Sequence, residues 1–490
     1  MSGNGGLLRR LAGWFDSRLG LSYPLLRPVP RYALNPFYWL GALAVVAFVI
    51  QGVTGTIMML YYVPSPTQAY SSTLYIFQNV YNGRFLETIH LYTAYAMIML
   101  AFMHMMRGYF VSVHKKPREA MWVVGMLMGF VTLGFGFTGY LLPWTVVSKS
   151  ATDVGIGMVS ALPQPVSSLI TFLIVGSGGD AAEILRFFDL HVVVLPAALL
   201  ILLVVKMYML EAQGVAEQTG GSTVGSNPKT SPIFPDVTLY LLELSLLFGA
   251  GMLLLSAIFP LSLPPEYSAA AASQYIPQPD WYFLWIYQVL KVSIFEGPEG
   301  LAAALSVVTI VFVALFVLPF IDRGKVRQPS RRPIYTTLGL VFVGEVAVLS
   351  YWGLVTPGLI IPLEQAVLVM GGTALLVVLG SILLYRLMYS RAKGRLRTAP
   401  SAGIASSELR SGLAFTGLVA LGAFSIGALV NGVVSEVLGD FSLVAILSLA
   451  ASVSLLALDI LGSIYLVYRL DLRTGSIRRR VKALEVGWRG

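Results

Sequence analysis

The chain has 490 residues, of which 56% are hydrophobic and only 12% are charged. Soluble domains are about half apolar and about a quarter charged, so this composition excludes an ordinary soluble protein. The sequence contains no cysteine, which excludes disulfides and every metal site built on cysteine ligands. A bound metal would therefore need His, Met, Lys or carboxylate ligands.

Ten apolar blocks are long enough to cross a membrane, which takes about 20 apolar residues. They are predicted at 38–61, 88–110, 121–142, 187–209, 238–259, 302–320, 336–353, 361–385, 412–434 and 441–467. The Gly- and Pro-rich segment 145–183 predicts one or two short helices on one membrane face. Segment 261–300 predicts a long ordered loop, which is usually functional. The expected fold is an all-α integral membrane protein of about ten spans.

The distribution of positive charge predicts how these spans are oriented. If the spans alternate, 29 of the 33 Lys and Arg residues lie on the side that carries both termini. The other four are Arg84, Lys149, Arg186 and Lys291. Because cytoplasmic loops are enriched in Lys and Arg, both termini are predicted to be cytoplasmic, and no nucleic-acid partner is expected. His114 lies in a basic loop on that side and is expected to be solvated.

Three of the four histidines lie in the apolar spans. His90 and His104 are fourteen residues apart in one span, so their rings project from one helix face about 21 Å apart. His191, in the fourth span, is predicted to lie at the depth of His90. Hydrogen-bonded packing histidines are the alternative. Ionisable groups inside spans are usually functional, however, and this spacing predicts two stacked metal centres.

Two pairs of glycines repeat the spacing of the histidines. Gly41 and Gly55 in the first span are fourteen residues apart, and so are Gly125 and Gly139 in the third. Glycine allows a neighbouring group to approach the helix backbone closely. The pairs therefore predict gaps for two flat macrocycles, although a single pair is weak evidence because the chain contains 48 glycines.

Several segments resemble cytochrome b, in particular the short form found in photosynthetic and many bacterial quinol-oxidising complexes. They are HKKPREAMWVVG (114–125), GYLLPW (139–144), RFFDLH (186–191) and KMYMLEAQG (206–214). PDWYF (279–283) and RRPIYTT (331–337) are similar to the separate fourth subunit of that system, here in the same chain. The resemblance covers about residues 30–355, and the last three spans have no counterpart in it.

The resemblance implies a di-haem four-helix bundle, three further core spans and about three extra C-terminal transmembrane helices. The expected parts are a cytoplasmic N-terminal segment at 1–36, the di-haem domain at 37–215, a domain like the fourth subunit at 216–356, and extra helices with a basic cytoplasmic tail at 357–490. The extra helices would dock a partner, such as a terminal oxidase or another respiratory subunit, or enlarge the lipid-facing scaffold.

The resemblance also implies ligands for two non-covalent haems, which would be b-type or modified. His90 and His191 would hold the outer haem, and His104 the inner one. The family's fourth ligand is a histidine, but this chain has Lys206 there. A lysine amine binds iron only when deprotonated, which burial beside a positive metal favours; alternatively, Lys206 extends to the membrane interface. Trp39 replaces a haem-tethering cysteine of the photosynthetic form, so no such extra haem is expected.

The family's Pro-Glu-Trp-Tyr motif, part of an outer quinol site, reads PDWY in this chain. It consists of Pro279, Asp280, Trp281 and Tyr282. The carboxylate of Asp280 would take a proton from quinol. The opposite wall of the site would be formed by Tyr140, Pro143 and Trp144. The alternative for these aromatic residues is an interfacial belt. Arg107 would either neutralise a haem propionate or anchor its span at the interface.

Together these residues predict the catalytic subunit of a quinol-oxidising oxidoreductase in the cell membrane. Electrons would pass through the two haems towards a quinone site near the cytoplasmic face, and protons would be released outside. The resemblance implies a Rieske iron–sulfur protein as partner, and a homodimer. Two other functions remain open. A haem-bearing anchor of a dehydrogenase needs no PDWY loop, and a polytopic transporter often shows internal repeats.

Overall fold

The structure is a computed structural model that describes residues 28–162, 164–215, 230–324 and 326–395. The helices of its first part are Leu40–Met59 (α1), Ala69–Asn79 (α2), Gly83–Phe110 (α3), Glu119–Leu141 (α4), Val146–Ser160 (α5), Val166–Ile174 (α6), Gly179–Asp189 (α7) and Leu195–Gln213 (α8). The later helices are Thr238–Ile258 (α9), Ala269–Ala272 (α10), Leu284–Leu290 (α11), Gly297–Ile321 (α12), Pro333–Val355 (α13) and Leu363–Arg395 (α14). The strands Val29–Pro30 (β1) and Thr230–Ser231 (β2) pair antiparallel, with Val29 opposite Ser231.

Eight segments within the described ranges are long and apolar enough to span a membrane. They are α1, α3, α4, α7 joined to α8, α9 with its preceding turn, α12, α13 and Leu363–Arg386 of α14. These segments coincide with the first eight predicted spans, so the all-α membrane fold is confirmed. The predicted spans at 412–434 and 441–467 lie outside the described residues, as do residues 1–27. The division of the chain into four parts stays a prediction.

A widened π-helical turn, Leu190–Val194, joins α7 to α8 and carries His191. It is followed directly by Leu195 and Pro196 at the start of α8. Proline has no N–H group, so Pro196 cannot donate the usual hydrogen bond to the carbonyl four residues earlier. Turns of this type frequently occur at functional sites.

The described chain divides into two compact units. The first contains the residues up to Tyr275 together with Thr309–Arg327, and the second contains Ile276–Val308 and the residues from Gln328 onwards. In the first unit, α1, α3, α4 and α8 share an apolar core. Its buried members are Ala47, Met97 and Leu199, against which Met128 and Phe135 pack. Met97 is midway between His90 and His104 in the sequence, so this core separates two levels of the bundle.

The connections of the first unit meet at two opposite ends of the bundle. At one end, Nη2 of Arg118, just before α4, donates to the carbonyl of Gln213 at 3.2 Å. At the other end, Nε of Arg84, near the start of α3, donates to the carbonyl of Leu261 at 2.6 Å. Arg118 and Gln213 thus lie at one end of the bundle, and Arg84 and Leu261 lie at the other, as spans that alternate in direction require.

His114 is not solvated, so that expectation is wrong. Its side chain is 0% exposed, and Nε2 lies 2.8 Å from Oδ2 of Asp322. Nζ of the neighbouring Lys115 pairs with Oδ1 of the same carboxylate at 2.9 Å. A position in a basic loop does not reveal a partner 208 residues further along the chain.

In the second unit, α13 packs against α11 and α14. The close approach of α13 to α11 requires glycine at residue 353, because a Cβ there would lie 2.8 Å from the carbonyl oxygen of Leu284. Just before α11, Nε2 of Gln278 donates to the carbonyls of Gly353 and Leu354, both at 2.9 Å. These contacts hold the segment that carries PDWY against the end of α13.

Candidate functional site

The structure brings His90 and His191 together at one level of the first unit. Their ring centroids lie 6.3 Å apart, and the ring planes are inclined by 61°. His90 projects from α3, and His191 projects from the π-helical turn. The ring of Phe135, from α4, packs edge-on against His191 at a centroid distance of 5.6 Å.

A threonine hydroxyl lies against Nδ1 of each of these histidines. Oγ1 of Thr54 is 2.8 Å from Nδ1 of His90, and Oγ1 of Thr138 is 3.2 Å from Nδ1 of His191. Each hydroxyl donates its single hydrogen to the carbonyl four residues earlier, at 2.7 Å for Thr54 and 2.8 Å for Thr138. A hydroxyl that donates to this carbonyl can only accept another hydrogen bond, which favours the tautomer with the proton on Nδ1. Nε2 then keeps its lone pair for a metal.

Each of these two histidines also faces a glycine on a neighbouring helix. A Cβ added to Gly55 of α1 would lie 3.2 Å from Cε1 of His90. A Cβ added to Gly139 of α4 would lie 2.5 Å from Cε1 of His191. Real Cβ atoms essentially never approach another atom that closely, so residue 139 has to be glycine with the imidazole in this position.

A second level, about 21 Å further along α3, repeats the glycine arrangement with His104 and Lys206. A Cβ on Gly41 would lie 3.2 Å from Cε1 of His104, and one on Gly125 would lie 2.7 Å from Nζ of Lys206. The polar surroundings differ from those of the first level. Nδ1 of His104 is buried and has no hydrogen-bond partner among the described residues.

Arg107 lies one turn beyond His104 on α3. Its guanidinium stacks over the ring of Tyr38, with Cζ 3.9 Å from the ring centroid. Trp39 follows Tyr38, and its indole N–H donates to the carbonyl of Ala33 at 2.7 Å. Arg107 is therefore held by an aromatic partner at the inner level, beside His104.

Trp144 lies in a buried aromatic corner at the opposite end of α4. Its backbone is in the left-handed region, with φ of 52°, and its carbonyl accepts from the N–H of Tyr267 at 3.1 Å. The two rings are 6.3 Å apart. Pro143 and Tyr140 are half-buried in the last turns before this corner.

The PDWY residues lie in the second unit, directly before α11. Tyr282 is buried, and its hydroxyl lies 3.4 Å from Oδ2 of Asp280, which is a long contact for a hydrogen bond. The ring of Trp281 stands perpendicular to that of Tyr282 at 5.5 Å. Pro279 and Asp280 are half-buried. The structure therefore places these four residues together, in a different unit from the histidines.

Thr54 and Thr138 are site residues that were not predicted from the sequence. A signal for them exists, because each immediately precedes the glycine that faces the same histidine, which gives the dipeptide Thr-Gly at 54–55 and again at 138–139. The glycines of the inner level follow Leu40 and Val124 instead. The repeated dipeptide thus distinguishes the outer level from the inner one.

Two family models match the chain. The model described as cytochrome b (N-terminal)/b6/petB matches residues 95–265, and the one described as cytochrome b (C-terminal)/b6/petD matches residues 273–371. A cytochrome bc complex cytochrome b subunit of Chlorobaculum thiosulfatiphilum is 33% identical over 349 residues, which is 70% of this chain and 80% of the relative. A cytochrome b of Sulfolobus acidocaldarius is 28% identical over 476 residues, covering 89% of this chain and 83% of the relative.

A cytochrome b6 of Heliobacterium mobile is 39% identical over 191 residues, which is 39% of this chain and 89% of the relative. A solved chain titled "Hyperthermophilic respiratory Complex III" shares the fold with a TM-score of 0.60 and 23% identity, covering 76% of this chain and 96% of that chain. The two family models together match more than half of the residues. The chain therefore belongs to the cytochrome b family of haem-binding, electron-transferring membrane proteins.

Proposed function

We propose that this chain is the di-haem, quinol-oxidising subunit of a bc-type complex. The observation that carries the proposal is the pairing of four glycines with four candidate haem ligands at two levels of one bundle. Gly52 and Gly129, in the same two helices, have nothing within 4 Å of an added Cβ. Close approach is thus a property of the four paired positions and not of glycine in these helices generally.

The residues at both levels fit the binding of a haem, since each level offers two nitrogen donors beside glycines. His90 and His191 would hold the outer haem, since their Nδ1–H groups are engaged by threonines and Nε2 is left available. His104 and Lys206 would hold the inner haem. Each group would supply reversible one-electron transfer when bound. The glycines leave the backbone surface open where a macrocycle edge needs room.

The position of Lys206 favours the ligand role over extension to the membrane interface. Its Nζ lies 2.7 Å from the Cβ position of Gly125. Gly125 is six residues inside the start of α4 at Glu119, or about 9 Å along the helix axis. The amine is thus held well inside the bundle, on the face of α4 that also bears Gly139.

At the outer site, Asp280 is the proposed acceptor of one quinol proton. Aspartate is one methylene shorter than the glutamate of the family motif, so a bridging water would extend its reach. The residues proposed to line the site are Pro279, Trp281, Tyr282, Tyr140, Pro143 and Trp144. Arg107, held over Tyr38 near the inner level, is proposed to neutralise a haem propionate.

The proposed partners are quinol, a Rieske iron–sulfur protein that takes one electron, and a second copy of the chain. The chain would lie in the cell membrane with both termini cytoplasmic and a quinone site near that face. The two matching family models cover the part of the bundle that carries His104, His191 and Lys206, and the PDWY segment. Neither a dehydrogenase anchor nor a transporter requires this combination.

Replacing Asp280 by Asn is expected to lower the rate of quinol oxidation about 100-fold, because a positioned general base contributes that much or more. Both haems should stay bound. The measurement is quinol-driven reduction of the electron acceptor by the purified complex, together with a haem count. Glu296→Gln, an exposed carboxylate after α11, is the matched control and should keep the wild-type rate. A wild-type rate in Asp280→Asn would contradict the assignment.

The double variant Thr54→Val, Thr138→Val is expected to raise the midpoint potential of one haem and leave the other unchanged. A hydrogen bond from Nδ1–H makes an imidazole a stronger donor to the metal, so its loss favours the reduced state, by about 1 kcal/mol per bond. Redox titration followed by absorbance measures both potentials. Thr132→Val on α4 removes only a bond to the carbonyl of Met128 and is the control. Equal shifts in both haems would argue against the assignment.

A further inference from the structure

The short segment that follows α11 holds the facing ends of α13 and α14. Nζ of Lys291 donates to the carbonyl of Thr356, the residue that follows α13, and lies 3.4 Å from its hydroxyl oxygen. Oγ of Ser293 accepts a hydrogen bond at 3.1 Å from the N–H of Leu363, the first residue of α14. A cation is favoured at a helix C-terminus and a serine oxygen at an N-terminus, because the last carbonyls and the first N–H groups lack partners within the helix. Residues 291–293, called the bracket below, therefore meet a chemical need of both helix ends.

Backbone hydrogen bonds reinforce the bracket. The N–H of Ile361 donates to the carbonyl of Lys291, and the N–H of Ser293 donates to the carbonyl of Ile361, both at 2.8 Å. Val292, between these two residues, forms a parallel bridge with Ile361. The side chains of Val292 and Ile361 are buried. The end of α11 is thus joined through main chain and side chains to the turn between α13 and α14.

The other flank of the PDWY motif is held by the same turn. The hydroxyl of Tyr287, on α11, donates to the carbonyl of Pro277 at 2.9 Å and accepts from the N–H of Gly358 at 3.0 Å. Gln278 binds the last carbonyls of α13, as described above. Asp280 follows Pro277 by three residues. Hydrogen bonds on both sides of the motif therefore hold the backbone that carries the carboxylate of Asp280.

Lys291 is the charged member of this set of contacts. The other side chains that make them, those of Gln278, Tyr287, Ser293 and Thr356, are neutral. Nζ of Lys291 lies 4.7 Å from the ring centroid of Tyr287, an attractive cation–π distance. Lys291 is half-buried, and burial lowers the pKa of its ammonium to about 8, so the group is still mostly charged at neutral pH. One ammonium thus binds α11 through Tyr287 and α13 through Thr356.

Building on the proposed function, we propose that Lys291 is a positioning residue of the outer quinol site. Its role is to hold the end of α11 against the ends of α13 and α14, and the PDWY segment lies directly before α11. The proton acceptor is Asp280, which has to lie within hydrogen-bond reach of the quinol O–H. A displacement of about 1 Å at a reacting group lowers a rate by up to about 100-fold. Loss of the ammonium leaves the end of α13 without its cation and lets α11 and the motif shift together.

The test is steady-state quinol oxidation by the purified complex, expressed per haem, for Lys291→Met and Lys291→Arg. Methionine keeps an unbranched apolar stem and removes the charge. Lys291→Met should lower kcat about 10-fold, because transfer of the proton to Asp280 depends steeply on distance, while KM for quinol changes less than about 2-fold. Lys291→Arg retains a cation that binds a carbonyl and stacks on Tyr287, so it should keep the wild-type kcat. Arg386→Met, which removes an exposed cation from α14, is the control.

Ser293→Ala is a milder variant of the same bracket. It removes the hydrogen bond to the N–H of Leu363 and should lower kcat about 3-fold, again with KM for quinol unchanged. It decides the question if Lys291→Met yields no assembled complex. A wild-type kcat in Ser293→Ala would then overturn the proposal.

A purely structural role for Lys291 gives a different result. Lys291→Met would then lower the unfolding temperature or the yield of haem-containing complex, but the molecules that assemble would oxidise quinol with the wild-type kcat, and this outcome would overturn the proposal. So would a folded Lys291→Arg that is as slow as Lys291→Met. A wild type that transfers no electrons from quinol contradicts the proposed function itself. If the wild type is active and Asp280→Asn slows it, an unchanged kcat in Lys291→Met removes only the positioning role.

Discussion

A chain with Gly139→Val is expected to retain one haem where the wild type binds two. The added Cβ would lie 2.5 Å from Cε1 of His191, so the imidazole would have to leave its position, and two further methyl groups would occupy the space beside it. Overpacking of this kind forces side chains out of their preferred rotamers. The inner level, about 21 Å away along the bundle, should keep its haem. The measurement is a haem extraction and spectral count per purified chain.

Gly129→Val is the matched control for this experiment. Gly129 lies in the same helix, but nothing is found within 4 Å of an added Cβ. Both variants introduce the same β-branched residue into α4, so they share any cost of helix propensity. The control should bind two haems. Two haems with wild-type spectra in Gly139→Val would mean that residue 139 does not border a haem.

Lys206→Ala is expected to remove one haem, or to change its spectrum, and to leave the other as in the wild type. The variant deletes the only proposed ligand at the inner level that is not a histidine. Lys206→His should restore two haems, with the inner one now resembling the bis-histidine outer one. Absorbance spectra of the oxidised and reduced chain, together with haem extraction, report both effects.

Met207→Ala controls for the loss of side-chain volume at this point of α8, since Met207 is exposed. It should leave both haems unchanged. Two unaltered haems in Lys206→Ala would move the ligand role to another residue while keeping the electron-transfer function. If the wild-type chain is well folded and was produced with ample haem but contains none, the di-haem proposal itself is contradicted.

The eight spans were predictable because hydropathy is a local property of the sequence. The contacts of His114 were not predictable, because its partner Asp322 lies 208 residues away in the sequence. The position of a residue in a loop carries no information about contacts over such a distance. The π-helical turn at Leu190–Val194 was also hidden, since HVVVLP is equally apolar in a regular helix. Only Pro196 indicated that the helical hydrogen bonding is irregular at this point.

Some features of the candidate site were visible as spacing, and others depended on the packing of separate helices. The fourteen-residue periods of histidine and glycine were readable from the sequence. Thr54 and Thr138 went unnoticed, although the repeated Thr-Gly dipeptide marks them, because threonine is ordinary in apolar helices. Lys291 was counted only as one of four positive residues on its side. Its contacts depend on how the end of α11 meets the ends of α13 and α14, which none of these helices specifies alone.

The apolar core of Ala47, Met97 and Leu199 has an electrical consequence. It forms a layer of low polarisability between the two proposed redox levels, so the transmembrane voltage falls largely across it. The levels are about 21 Å apart in a hydrocarbon core about 30 Å thick. An electron that passes from the outer to the inner level, as proposed, would therefore do work against roughly 70% of the voltage, or about 1.6 kcal/mol per 100 mV. A membrane potential that is negative inside should thus slow this transfer, and collapsing it with an ionophore should speed it.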